Sequence, residues 1–237
     1  MHTQRILLVV TSSDRAGTAP EPTGLWLEEV AAPYYAFLDA KCDITIASPK
    51  GGEAPIDPRS NEESNQTAST RRFAVDAKAQ HKLAHSMKLA SVSLDDYDAI
   101  FYAGGHGTMD DFATDPTVTA ATEHFLRSGK TLSAVCHGPA ALVNARTSKG
   151  EPAVKGRRMT GFTDEEERLV GLDTRMPFLL ESRLREQGAT FSSTSPFQSH
   201  VVVDGNLITG QNPPSSIPVA EAVIHRLRNQ SNTKRAA

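Results

Sequence analysis

The 237-residue chain predicts one α/β domain of the flavodoxin-like, doubly wound kind, with a mostly parallel sheet and helices on both faces. Three observations carry this. Short, β-branched apolar runs alternate with longer segments of helical period. The first run, RILLVVT at residues 5–11, is apolar at successive positions, as a strand covered on both faces requires. The chain also shows no internal repeat and has the length of one large domain, expected to span residues 1–230.

The elements follow in order. After the first strand, Leu25, Leu27, Val30, Ala31, Tyr34, Tyr35, Phe37 and Leu38 recur at helical spacing, giving an amphipathic helix led in by Pro22, Thr23 and Gly24. Pro33 is expected to bend or interrupt it. Residues 43–47 (DITIA) read as a second strand. Residues 48–69 are rich in polar, Gly and Pro residues, and so long a stretch inside an enzyme domain predicts a covering loop, over about 48–73. A helix at 77–89, a strand at 97–102, a helix at 117–127 and a strand at 131–135 continue the alternation. An acidic run at 164–167 opens another helix, a hairpin joins 201–203 to 207–209 around Asp204 and Gly205, and a last helix covers 215–228. Residues 231–237 read as a flexible tail.

Composition narrows the function. The two cysteines, Cys42 and Cys136, lie far apart and outside any CxxC or Cys/His spacing, so neither a disulfide framework nor a structural metal site is predicted. The apolar run at 6–10 is too short for a secretory signal, no stretch reaches the roughly 18 apolar residues of a membrane span, and a cytoplasmic, reducing setting is expected. A formal net charge of −3 argues against nucleic acid or an anionic membrane as partner.

The sharpest chemical signal is Ala134-Val135-Cys136-His137-Gly138-Pro139, where a buried strand should turn straight into a helix. At such an elbow the residue after the strand is raised from the sheet edge, and the next N–H groups and the helix dipole are expected to favour thiolate over thiol. A buried, inert cysteine is the alternative. Ala103-Gly104-Gly105-His106-Gly107 follows another strand, so the Gly105 and His137 amides could together hold a developing oxyanion. His106 alone reads as structural or solvent-facing. Glu28 and Glu29 lie near the same sheet edge, although paired helix glutamates are usually solvated. Asp164, Glu165, Glu166 and Glu167 suit a helix N-terminus by dipole and capping alone. Cys42 and His200 carry no local context for chemistry.

Taken with Thr23-Gly24-Leu25-Trp26-Leu27-Glu28-Glu29, Thr160-Gly161-Phe162-Thr163-Asp164 and Thr209-Gly210-Gln211-Asn212-Pro213, these strings resemble the ThiJ/PfpI superfamily across residues 5–225. The likeness is to the branch containing glutathione-independent glyoxalases (glyoxalase III) and stress-inducible holding chaperones. The resemblance implies a class I glutamine amidotransferase-like fold, a homodimer, and conversion of a 2-oxoaldehyde such as methylglyoxal to lactate without metal or cofactor. It makes Cys136 the nucleophile, His137 its triad histidine, Glu167 the carboxylate orienting that histidine (with Glu166 or Asp164 as alternatives), and Glu29 the carboxyl touching the sulfur. Gly104 and Gly105, with His137, fall on the oxyanion and substrate-binding side. Deglycation or amide hydrolysis by the same cysteine, and a holding chaperone, are the rival readings.

Overall fold

A computed structural model describes residues 3–236, with side chains to residue 230. Among the described residues nine strands form: β1 (Arg5–Val9), β2 (Asp43–Ser48), β3 (Met87–Lys88), β4 (Ala99–Tyr102), β5 (Thr131–Val135), β6 (Arg158–Met159), β7 (Thr190–Phe191), β8 (Val201–Asp204) and β9 (Leu207–Gly210). Seven make the main sheet in the order β3-β2-β1-β4-β5-β9-β8, and β6 pairs with β7 alone. Every main-sheet pairing is parallel except β8 on β9, the predicted hairpin. Among the described residues eight α-helices accompany them: α1 (Leu27–Asp39), α2 (Ala68–Val75), α3 (Ala77–Ala84), α4 (Thr108–Asp111), α5 (Pro116–Arg127), α6 (Asp164–Leu169), α7 (Leu180–Glu186) and α8 (Ser216–Ala236).

Side chains on successive strand positions point to opposite faces, and β1 feeds two cores. Ile6, Leu8 and Val10 pack with Val30 and Phe37 of α1, Phe73 of α2, Leu83 of α3 and Val219 of α8. Leu7 and Val9 pack against Met109 of α4, Phe125 of α5 and Leu184 of α7. Because both faces are covered, β1 can be apolar throughout.

The chain leaves β1 to build β2 on one side and returns to build β4 on the other, so the loops after β1 and β4 diverge at the carboxyl edge, where open α/β sheets bind ligands. Register aligns Val9 with Tyr102, Tyr102 with Ala134, and Ala134 with Thr209. The residues that follow these strands therefore share one rim. Among the described residues no helix is long and apolar enough to cross a membrane.

Several expectations are corrected. The first helix begins at Leu27, because Leu25 is held in a bridge to Ile56, and it runs on past Pro33. The missing Pro33 N–H removes one backbone bond, while Val30, Tyr34 and Phe37 remain buried along the same helix and hold it. The helix expected over 77–89 stops at Ala84 because Ser86 exchanges backbone bonds with Gly52 (3.0 and 2.8 Å), drawing residues 87–88 into the sheet as β3. The loop after β2 contains two 3-10 turns, Pro58–Asn61 and Glu63–Asn65, before α2. The stretch after Cys136 is a 3-10 turn, Gly138–Leu142, and not an α-helix. α8 runs to Ala236, and residue 237 lies outside the described residues.

Gly105 has φ of +102°, and an added Cβ would press on the backbone of Gly24, Leu25 and Trp26. We expect Gly105→Ala to lower unfolding free energy by about 2–4 kcal/mol in urea titrations, since both conformation and space are denied.

Candidate active site

Cys136 sits at the end of β5 with φ of +58°, a left-handed conformation rare for a residue other than glycine. The turn is pinned on both sides: its N–H donates to the Gly210 carbonyl at 2.9 Å, and its own carbonyl accepts from the Phe162 N–H at 2.8 Å. Gly138 has no room for a Cβ beside the Tyr102 carbonyl. Cys136 is 4 % exposed and lines a cavity of about 630 Å³ with Trp26, Arg59, Gly105, His106 and His137. A larger, more open cleft of about 960 Å³ lies by Asp98 and Lys130, which precede β4 and β5 at the opposite edge, and holds neither the cysteine nor its neighbours.

Glu29 reaches the sulfur from α1. It is fully buried, and its Oε2 accepts the Gly104 N–H at 2.8 Å while the Gly104 carbonyl accepts the Trp26 N–H at 3.2 Å, so the α1 start and the β4 turn hold each other. Gly104 is required here because a Cβ would strike the Glu29 carboxylate and come within 2.8 Å of the His137 nitrogen. Burial pushes the Glu29 carboxyl up to about 8, despite hydrogen bonds with the Cys136 thiol and the Gly104 amide. Its Oε1 has no further hydrogen-bond partner among the described residues. At neutral pH the carboxyl is a protonated acid in contact with sulfur.

The thiol departs from the sequence reading. Burial first, and then the Glu29 charge, push Cys136 well above the ordinary thiol range, and the His137 N–H on the sulfur offsets only part of this. The five-residue 3-10 turn supplies no full helix dipole, so the dipole argument for a resting thiolate fails. Ionisation needs a proton acceptor: at neutral pH this is His137, whose Nδ1 is 3.4 Å from Sγ, and Glu29 can serve only after giving up its own proton.

The acidic run on α6 divides by position. Thr163 and Glu166 form a capping box, which turns the next residue, Glu167, into the site. Glu167 Oε2 lies 2.7 Å from His137 Nε2, and Oε1 lies 2.8 Å from Nε2 of His106. Of the three carboxylates considered for this place, the geometry brings Glu167, and not Glu166 or Asp164, to the imidazole. Asp164 instead caps Ser182 at 2.5 Å.

His106, expected to be structural or solvent-facing, is buried inside the cluster, its ring 4.3 Å from that of His137. On the other side, Arg59 Nη2 lies 3.3 Å from His106 Nδ1. A guanidinium only donates, so Nδ1 is the acceptor and Nε2 carries the proton given to Glu167. Burial, then the facing His137, lower the His106 basicity and keep the ring neutral. Burial works to raise Glu167, but His137 and the two imidazole bonds hold it well below the usual carboxylate range. Arg59 is itself fixed by buried Asp57 (Nη2–Oδ2 2.6 Å, Nε–Oδ1 3.0 Å), which also accepts from Thr23 at 2.7 Å.

A bonded chain thus runs from the segment after β2 through Arg59, His106, Glu167 and His137 to Cys136. The sequence carried a partial signal for His106, which shares the glycine turn after β4; Arg59 and Phe197, another lining residue, had none. Glu28 accepts from Thr67 at 2.5 Å and lines the cavity, whereas Cys42 is only half-buried beneath α1 and His200 pairs with Ser192, both apart from the lining. His106, His137 and Glu167 also form a set whose ligand atoms lie within 4.8 Å of one another, the one such group among the described residues. Both imidazole Nε2 atoms are engaged with the carboxylate, an arrangement complete without an ion.

A model described as the DJ-1/PfpI family matches residues 24–226. The chain belongs to the DJ-1/PfpI family. Within it, the chain is 28% identical over 238 residues to the glutathione-independent glyoxalase HSP31 of Saccharomyces cerevisiae, covering 97% of this chain and 100% of that protein. The crystal structure of glyoxalase III from Candida albicans superposes with a TM-score of 0.87 at 29% identity, over 94% of this chain and 96% of its own. Rapid Encystment Protein 24 kDa of Francisella tularensis superposes with a TM-score of 0.90 at 38% identity, over 94% and 98% of the two chains. These likenesses extend the DJ-1/PfpI assignment over nearly the whole chain.

The Glu29 carboxyl binds its proton more tightly in the folded chain than the ordinary 4.5 of an unfolded one, so folding stability falls as pH rises from 4.5 through about 8. The loss amounts to about 4–5 kcal/mol. Glu29→Gln should therefore raise the thermal midpoint at pH 8.5 and flatten its dependence on pH between 5 and 8. An unaltered slope in calorimetric scans would remove the assignment.

Proposed function

We propose that this protein is a glutathione-independent glyoxalase that converts a 2-oxoaldehyde such as methylglyoxal to the 2-hydroxy acid, lactate. The observation that carries the reading is a buried acid, Glu29, against a strained cysteine whose other neighbour is a histidine backed by a carboxylate. A hydrolase triad needs nucleophile, base and orienting acid. An additional protonated carboxyl at the sulfur suits a reaction in which a proton must move between adjacent carbons.

The Cys136 thiol gives its proton to His137 as the sulfur adds to the aldehyde carbon, forming the C–S bond, and the carbonyl oxygen takes the Glu29 proton to give a hemithioacetal. The hydrogen on C1 leaves as a proton to the Glu29 carboxylate so formed, the electron pair forms the enediol, and a proton returns to C2 from Glu29 or His137. This makes a 2-hydroxy thioester, with C1 oxidised and C2 reduced inside one molecule. Water then cleaves the C–S bond, releasing the hydroxy acid and the thiol, so the sum is aldehyde plus water. In this reading the Gly105 and His137 amides hold the oxyanion, while Glu167 keeps His137 with Nδ1 toward sulfur. His106 is a positioning residue that acts through Glu167.

Lactate measured with purified protein and no added thiol tests the proposal. Cys136→Ala should reduce turnover by about a thousandfold or more and Glu29→Gln by about a hundredfold, while Cys42→Ser stays within about twofold. Wild-type protein without lactate formation would refute it.

Because one proton must leave the Glu29–Cys136 pair to make the reactive anion, kcat/KM should climb with pH to a plateau with its midpoint near 8. This limb should vanish in Glu29→Gln. His106→Ala should lower kcat about tenfold, with His106→Gln, which can still donate to Glu167, recovering much of the loss. Equal loss in both variants would count against positioning through that bond.

A further inference from the structure

Phe197 adopts a conformation its residue type avoids. Its φ is +57°, in the left-handed region, yet its side chain stays 41 % exposed, so burial alone does not explain why the strain is tolerated. The clamp is Glu166. Its buried Oε1 accepts the Phe197 N–H and Asn212 Nδ2, each at 2.8 Å, and Oε2 accepts the Thr163 N–H at 3.0 Å and hydroxyl at 2.9 Å. Asn212 Nδ2 also donates to the Gln198 carbonyl at 2.7 Å, gripping the residue after Phe197. Backbone strain held by over-determined surroundings gathers at functional sites. The other strained residue in this cavity is Cys136.

The ring is placed where it can touch substrate. Phe197 lines the Cys136 cavity, 6.3 Å from Phe162, and Phe162 in turn lies 4.4 Å from the His137 ring. Trp26, Val170, Pro213 and Pro214 extend the apolar lining. Of the polar groups in the wall, Glu28 is engaged by Thr67, Arg59 by Asp57 and the Asn65 amide by the Arg59 carbonyl, with Glu62 also in the lining, while Trp26, Phe162 and Phe197 present aromatic faces for recognition. A methyl group fills little of a cavity of about 630 Å³.

We propose that Phe197 is a specificity-determining residue, and that the site favours 2-oxoaldehydes whose keto carbon bears an aromatic or bulky apolar group, seated between Trp26, Phe162 and Phe197, over methyl-bearing ones. The inference rests on the glyoxalase reading and names its substrate class. Rates for phenylglyoxal and methylglyoxal are to be compared in wild type, Phe197→Leu and Phe197→Gly. Glycine suits the left-handed backbone, so its thermal midpoint should hold or rise, which separates lost contact from lost folding. In wild type, kcat/KM for phenylglyoxal should exceed that for methylglyoxal by about tenfold or more. This ratio should fall by about tenfold in Phe197→Gly and less in Phe197→Leu.

Trp26 is the sole tryptophan, so its fluorescence reports occupancy of the cavity without turnover. Racemic mandelate should bind wild type about tenfold more tightly than racemic lactate, and the gap should shrink to about twofold in Phe197→Gly. A wild type without preference in either measurement, or a preference that both variants retain in full, overturns the proposal. If neither aldehyde turns over, the glyoxalase reading falls, and the acid titration alone still decides whether Phe197 sets the selectivity.

Discussion

The contact between the buried Glu29 carboxyl and the Cys136 thiol is the constraint around which the site is arranged. A carboxyl fully removed from water must be bonded, neutral, or both. Here the Gly104 amide satisfies one oxygen, and burial holds the proton on the group. That demand accounts for features that otherwise look unrelated: the missing side chain at Gly104, the reciprocal bond from Trp26, and the left-handed bend at Cys136 that raises sulfur toward the acid. The fold sustains a costly group because two apolar cores flank it on either side of the sheet.

The second constraint concerns charge. Glu167 is the anion of the cluster, and it divides its two oxygens between two imidazoles. One of them, His137, faces the sulfur. The other is kept neutral mainly by burial and is fixed in tautomer by Arg59 from the segment after β2. The covering segment therefore takes part in the bonding of the cluster, and the hydrogen-bonded chain from Asp57 to Cys136 couples its seating to the orientation of His137. Two adjacent glutamates on α6 thus have separate tasks: Glu166 caps the helix and clamps the backbone around Phe197 and Asn212, while Glu167 serves the histidines.

Much of the architecture was legible because local chemistry and global fold agree. Apolar runs at 5–9 and 131–135 became central strands, and Asp204 with Gly205 turned the only antiparallel pair of the main sheet. The errors fell where tertiary contacts outweigh propensity. Ser86 left its helical pattern for a bridge to Gly52, Pro33 stayed inside a helix packed along its length, and Gly138–Leu142 tightened to a 3-10 turn.

By itself, the sequence determined the order of strands and helices, the elbow carrying Cys136 and His137, and the glycine turn that admits a close neighbour, since each depends on residues adjacent in the chain. The family resemblance named Glu29 for the sulfur and Glu167 for His137 where the residue pattern itself left both open, and tertiary structure brings them there; it alone adds His106, Arg59 and Phe197 to the cavity. Those contacts join segments many residues apart, and their strength comes from burial, which no local pattern encodes. The ionisation of Cys136 shows the limit most clearly: a short motif suggested thiolate, whereas desolvation and a neighbouring carboxyl from α1 make the resting thiol.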